Sequence, residues 1–261
     1  SNSRSRGLRW SLAYTYTDAT EVSNAGNSTS GSNFRGRSIF NPNEDVDANS
    51  AYLVKDRVSA SLSWEKAFFG TYKTIFGAFY EGRRGKPYSW TYRNDMNGDG
   101  VQANDLMYVP SAFGSGEVIF KGDTATSRVN EQRFWDVVEQ HKDLRAAKGG
   151  VVERNSGFSP WTNSIDMRIQ QEIPGLFKGH KGALVFDFMN VGNMLNKRWG
   201  RIEEVGFFSS GGANSRDIVE YAGMQDGKYV YQVRDQVEFY TLKQNKGESS
   251  WAVQVTARYE F

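Results

Sequence analysis

The stretch Asp95-Met-Asn97-Gly-Asp99-Gly100-Val-Gln-Ala-Asn-Asp105 concentrates oxygen donors at a spacing with chemical meaning. Side-chain oxygens at the first, third and fifth positions, followed by glycine at the sixth, match the first half of an EF-hand calcium loop. In such a loop alternate residues turn their oxygens onto one hard cation. The match then lapses. The twelfth position is Leu106, not a bidentate glutamate, and Asp105 stands one residue early. No flanking helices are evident. Two readings are open: Asp95, Asn97, Asp99 and Asp105 hold calcium, or they form an Asx-rich turn, where Asn, Asp and Gly are favoured for backbone reasons.

Little else in the chain offers reactive groups. There are only two histidines, His141 and His180, far apart in sequence, and no cysteine among 261 residues. Disulfides and thiolate metal sites are thereby excluded. No nucleophile elbow, Ser/His/Asp spacing or phosphate-cradling glycine loop is present. The pair Glu203-Glu204 reads as solvated loop charge. The chain is not expected to be an enzyme. Lys+Arg 32 against Asp+Glu 30 leaves no basic surplus, so nucleic acid is not an expected partner.

What must position such groups is a set of long strands. At the C-terminus, Trp251, Val253, Val255, Ala257, Tyr259 and Phe261 alternate with Ala252, Gln254, Thr256, Arg258 and Glu260. This is the period-two pattern of a half-buried strand. Ten steps at about 3.3 Å run ~33 Å. Tilted by roughly 40°, the strand rises ~25 Å, the height of the apolar band on an outer-membrane barrel. Aromatics at both ends suit two interfacial girdles. Leu8, Trp10, Leu12, Tyr14 and Tyr16 repeat the pattern near the N-terminus. Further strands are expected over 56–67, 71–90, 163–174 and 183–195. No apolar run is long enough for a membrane-spanning helix.

Between these strands, short turns at 68–70 and 175–182 alternate with long segments at 19–55, 91–161 and 196–248. Bacterial barrels combine short periplasmic turns with longer extracellular loops. The expectation is therefore an all-β fold, a transmembrane antiparallel β-barrel segment with long extracellular loops. Six strands fall short of the smallest barrels, of about eight. The chain starts at Ser1 with neither an initiator Met nor a signal peptide, and reads as the C-terminal part of something longer. The polar faces should line the lumen through Arg9, Arg57, Glu65, Asp166, Arg168, Glu172, Asp187, Arg258 and Glu260. One loop helix is expected over 130–147, with Asn130 as N-cap and Phe134, Val137, Val138, His141 and Leu144 sharing a face. It is either a lid that contacts ligand or a surface lipoprotein, or a helix packed on neighbouring loops. The 196–248 segment should hold a hairpin around Asp226-Gly227. A secreted calcium- or glycan-binding β-domain and a passive porin-type barrel are the alternatives.

Several runs carry a more specific resemblance: Phe79-Tyr-Glu-Gly-Arg-Arg-Gly-Lys-Pro-Tyr-Ser-Trp90, Asp95-Met-Asn-Gly-Asp-Gly100 with Asn104-Asp-Leu-Met-Tyr-Val-Pro110, and Asn190-Val-Gly-Asn-Met-Leu-Asn-Lys-Arg-Trp199. Together they are similar to the C-terminal barrel of TonB-dependent outer-membrane receptors, in the Oar-like branch that carries a carboxypeptidase-regulatory-like domain. The resemblance implies a barrel of about 22 strands, of which this chain supplies the last six. It also implies transport of a large solute across the bacterial outer membrane, driven by the inner-membrane TonB complex acting on an N-terminal plug that this sequence lacks. The terminal strand, through Val253, Val255, Ala257, Tyr259 and Phe261, resembles the signal read by the outer-membrane assembly machinery.

Overall fold

The computed structural model describes residues 7–23, 26–205, 214–235, 241–242 and 248–261. Parts of the expected 196–248 loop, and Ser1 itself, lie outside the described residues. Six strands form one antiparallel sheet in chain order: β1 (Leu8–Tyr16), β2 (Asp56–Phe69), β3 (Tyr72–Arg83), β4 (Thr162–Pro174), β5 (Lys181–Met189) and β6 (Ala252–Glu260). Among the described residues each pairs only with its neighbours in that order, so the sheet they form is an open meander with β1 and β6 at its edges.

Register turns the alternation of single strands into faces. Trp10, Leu62, Ala78, Met167, Phe188 and Val253 stand opposite one another in succession across all six strands. Next to them runs a second row, Leu8, Trp64, Phe76, Ile169, Phe186 and Val255. Trp64 and Phe76 stack with centroids 5.5 Å apart, the kind of cross-strand aromatic pair that fixes register. A one-residue slip at any pairing would break both rows. Among the described residues no other sheet covers this face: Trp10 is 73% and Leu62 48% exposed.

Two connections are tight. β2 and β3 meet at Phe69 and Tyr72, with Gly70 at φ 61° in the turn and a register shift between Ala67 and Phe69. β4 and β5 are joined through Gly175–His180, closed by the Gly175 N–H donating to the His180 carbonyl at 3.2 Å. Two strands depart from expectation. β5 stops at Met189, and Val191–Leu195, expected to continue it, is a short helix. β3 ends at Arg83 rather than near Trp90. At Gly85 the chain passes so close to Ser159 and Pro160 that a Cβ would overlap them. It then starts a buried strand, Pro87–Thr91, that pairs with Gly157–Phe158 and, in parallel, with Ser215–Asp217.

The core lies outside the main sheet. Tyr88, Trp90, Tyr92, Met107, Val109, Phe120, Phe134, Leu144, Ile218 and Tyr231 pack together from the two long connections that follow β3 and β5. The connection after β1 joins them through the Ile39–Asp105 bridge and the Asn49 amide donating to the Asn155 carbonyl. Helix α1 (Val129–Gln140) buries Phe134, Trp135 and Val138 here. The single expected helix is divided: His141 is extended at φ −114° and ψ 122°, and α2 (Lys142–Ala146) follows. Asn130 is not the N-cap. Arg128 holds that position without a side-chain bond. Asp123 instead accepts from the Asn130 and Glu131 N–H groups at 2.9 and 2.8 Å, satisfying orphan donors of the first turn from a distance.

Candidate functional site

The acidic loop follows Tyr92 and is curled by its own Asx side chains. Asp95 Oδ1 accepts from the N–H groups of Gly98 and Asp99, and Oδ2 from Gly100. Asn97 Oδ1 accepts from Asp99 N–H, and Asp99 Oδ1 from Val101 N–H. Gly98 and Gly100 take the left-handed conformation at φ 77° and 84° that these turns demand. Ala103, at φ 58°, is the unexpected turn residue. It folds the chain back so that Asp105, at the eleventh position, returns to the start of the loop. There Asp105 Oδ2 accepts from Met96 N–H at 2.5 Å and Asn97 N–H at 3.3 Å.

Asp95, Asp99 and Asp105 thus converge, each with a carboxylate oxygen within 4.8 Å of the others. Asp105 is fully buried, and burial pushes its carboxyl up to about 6; the two backbone N–H bonds oppose that shift, while the charges of Asp99 and Asp95 add to it. Among the described residues no lysine or arginine forms an ion pair with any of the three. Asn104 also belongs to the cluster. It is fully buried and its amide nitrogen lies 3.4 Å from Asp99 Oδ2. Sequence spacing alone gives Asn104 no part, because its position has no side-chain ligand in the EF-hand pattern.

The second constellation is the polar face of the sheet. Register places Arg9, Ser63, Gly77, Arg168, Asp187 and Gln254 in one row. Arg57, Asp166, Glu172 and Arg258 share that face. Arg168 meets Asp187 directly across β4 and β5, with Nε and Nη2 donating at 2.5 and 3.1 Å in a fork-to-fork pair. Arg57 pairs with Glu81 at 2.5 Å. Glu172 accepts from Lys73 N–H, and Asp166 from Asn190 N–H. Arg9 and Arg258 have no ion-pair partner among the described residues. The face is a ladder of cross-strand contacts, on which Arg83 and Lys181 likewise have no ion-pair partner among the described residues. On the opposite face, Val253, Val255, Ala257, Tyr259 and Phe261 are all exposed along the β6 edge.

The histidines do not meet. His180 Nδ1 lies 2.8 Å from the Tyr259 hydroxyl, in the tight β4–β5 turn. His141 packs edge-on against Trp90 at 4.9 Å in the loop core. Its imidazole is held below the ordinary histidine value by burial and by the Arg216 charge. Trp90 in turn donates to Asp143 at 2.6 Å. A cleft of roughly 310 Å³ opens between the long connections, lined by Glu21, Arg37, Lys86, Arg154 and Glu204. No sequence signal joined those five, which come from three different connections. In comparisons with known proteins, no family model, no curated protein and no solved structure matches this chain.

Proposed function

We propose that this chain is a stretch of transmembrane barrel wall, with its surface cap, from a TonB-dependent outer-membrane receptor. The observation that carries the proposal is the pair of apolar rows that run unbroken through six paired strands and lie uncovered, back to back with a charged and hydroxylated row. Exposed apolar patches of that continuity are rare on soluble domains. Alternation of lipid-facing and lumen-facing residues produces them in a barrel. The open edges at β1 and β6 would pair with the remaining strands of the receptor, since unpaired edges cannot sit in lipid.

In this reading the long connections form the cell-surface face, and Arg9 and Arg258 point cations toward the lumen, where a plug or solute takes them up. The receptor moves a large solute, energised through the TonB complex acting on the plug. The family-like runs support that assignment, and their energy-coupled class sets it apart from a passive porin. Surface lipoprotein contact, where it occurs, falls to the cap.

Because the chain has no cysteine, single cysteines report the faces directly. Leu12→Cys and Val255→Cys, in the intact receptor in native membranes, should resist a water-soluble maleimide. Ala13→Cys and Gln254→Cys should react. Equal labelling at adjacent positions would rule out the barrel wall.

A further inference from the structure

We infer that the 95–105 loop binds calcium, with Asp95, Asp99 and Asp105 as carboxylate ligands and Asn97 and Asn104 supplying amide oxygens. Two facts beyond the acidic cluster point to a cation ligand set. Asp105 Oδ1 is buried and has no hydrogen-bond partner, and the same is true of Asn104 Oδ1. Both side chains are fully buried. A buried carboxylate oxygen and a buried amide oxygen left without donors are costly. For Asp105 Oδ1, in one small loop beside two further carboxylates, a bound cation is the remedy. Rotating the Asn104 amide by a half turn exchanges its nitrogen, 3.4 Å from Asp99 Oδ2, for its oxygen, and brings a fifth oxygen to the cluster.

The number and kind of oxygen ligands favour calcium. Calcium binds six to eight oxygens at about 2.3–2.6 Å, so ligands on opposite sides stand about 4.8 Å apart. That is the limit within which the three carboxylates already lie. Magnesium dehydrates reluctantly and is usually held by one or two carboxylates and several waters, so a set of three carboxylates and two amides suits it less well. The left-handed turn at Ala103 explains how an acid at the eleventh position can serve where an EF-hand uses its twelfth: the chain reverses before Asp105 instead of entering a helix. The bound ion would pin the loop to the cap, because the Asp105 backbone carbonyl accepts from Tyr92 N–H and Asp105 bridges to Ile39. This inference does not rest on the membrane reading, since a secreted domain with the same loop would bind the ion equally.

The test uses the full receptor, purified in detergent and stripped with chelator. Titration calorimetry with calcium chloride should show one saturable event. Asp99→Asn should weaken it at least tenfold, and magnesium chloride should compete only at far higher concentration. Hydrogen exchange over residues 92–106 of the unmodified protein, with and without calcium, needs no variant to fold and should slow several-fold when the ion is added. Absence of saturable calcium heat, or exchange that calcium leaves unchanged, overturns the site. So does an Asp99→Asn protein that binds as the parent does.

Discussion

Asn190 shows how much of this fold turns on single side chains in unusual backbone. It sits at φ 52° and ψ 54°, just past the end of β5. Its N–H donates to Asp166 at 2.8 Å and its side-chain amide to the Gly200 carbonyl at 2.8 Å. Gly200 is itself left-handed, at φ 62°, and a Cβ there would overlap the Asn190 amide. Asn tolerates this conformation better than other non-glycine residues. Asn190→Ala should therefore cost about 1–3 kcal/mol, from backbone strain plus the lost hydrogen bond. Asn190→Gly relieves the strain, loses only the bond, and should cost less. Urea midpoints of the refolded protein measure both, and a glycine variant no better than alanine would remove the backbone argument. The Asn190–Trp199 run was visible in the sequence as a motif. Its physical job was not, because its bonds reach Asp166 and Gly200 through space. The acidic loop was more legible. Its alternate oxygens and glycines could be read off directly, whereas the backbone reversal at Ala103 that recruits Asn104 and Asp105 carries no composition signal.

Among the elements, the strands of the sheet announce themselves and the core of the cap does not. Period two is local, so β1 and β6 can be recognised from nine residues each. The cap instead draws Tyr92, Phe120, Phe134 and Tyr231 from distant segments with no shared period. Only two of its parts were readable: the apolar stripe of α1, and the Asp226-Gly227 turn, where both residues take positive φ, 51° and 71°, between paired Gln225 and Lys228. What unites these segments is a buried tyrosine contact. The Tyr92 and Tyr231 hydroxyls lie 2.7 Å apart, and Tyr231 also donates to the Tyr108 carbonyl. Burial pushes Tyr92 up to about 12, and burial together with Tyr92 itself pushes Tyr231 well above the ordinary value of 10.0. These phenols stay protonated in the folded cap after an unfolded chain has begun to lose its protons. Their contribution to stability is whole below pH 10 and is lost as pH rises from 10 through about 12. An absorbance titration at alkaline pH should therefore show most of the 13 tyrosines ionising first. Tyr108, whose hydroxyl donates to Glu117 and is also pushed up to about 12, joins the late group, and Tyr92 and Tyr231 should follow only as near-ultraviolet dichroism of the cap collapses. A single transition near pH 10 with the dichroism intact would contradict this.

For the molecule as a whole, the decisive matter is the solvent against which each face of the sheet is stable. In water, an exposed leucine replaced by arginine is close to neutral, within about 0.5 kcal/mol. Against hydrocarbon the same change costs about 2–4 kcal/mol at the bilayer midplane, and little near the interfaces. Leu62 stands halfway along β2 in the apolar row, between Trp10 and Ala78. Its neighbour Ser63 belongs to the row of Arg9 and Arg168 on the other face. Backbone and strand position are almost the same for the two residues, so propensity differences largely cancel in the comparison. On the proposed membrane wall, Leu62→Arg should lower the unfolding free energy of the protein in lipid vesicles by about 2–4 kcal/mol, while Ser63→Arg stays within about 1 kcal/mol because its charge would enter a wet, already charged interior. The expected asymmetry should shrink for Leu8→Arg, at the start of β1, where the side chain can reach the interface. Equal small effects at Leu62 and Ser63 would mean that the apolar rows face water, and that the six strands belong to an open soluble sheet and not to a membrane wall.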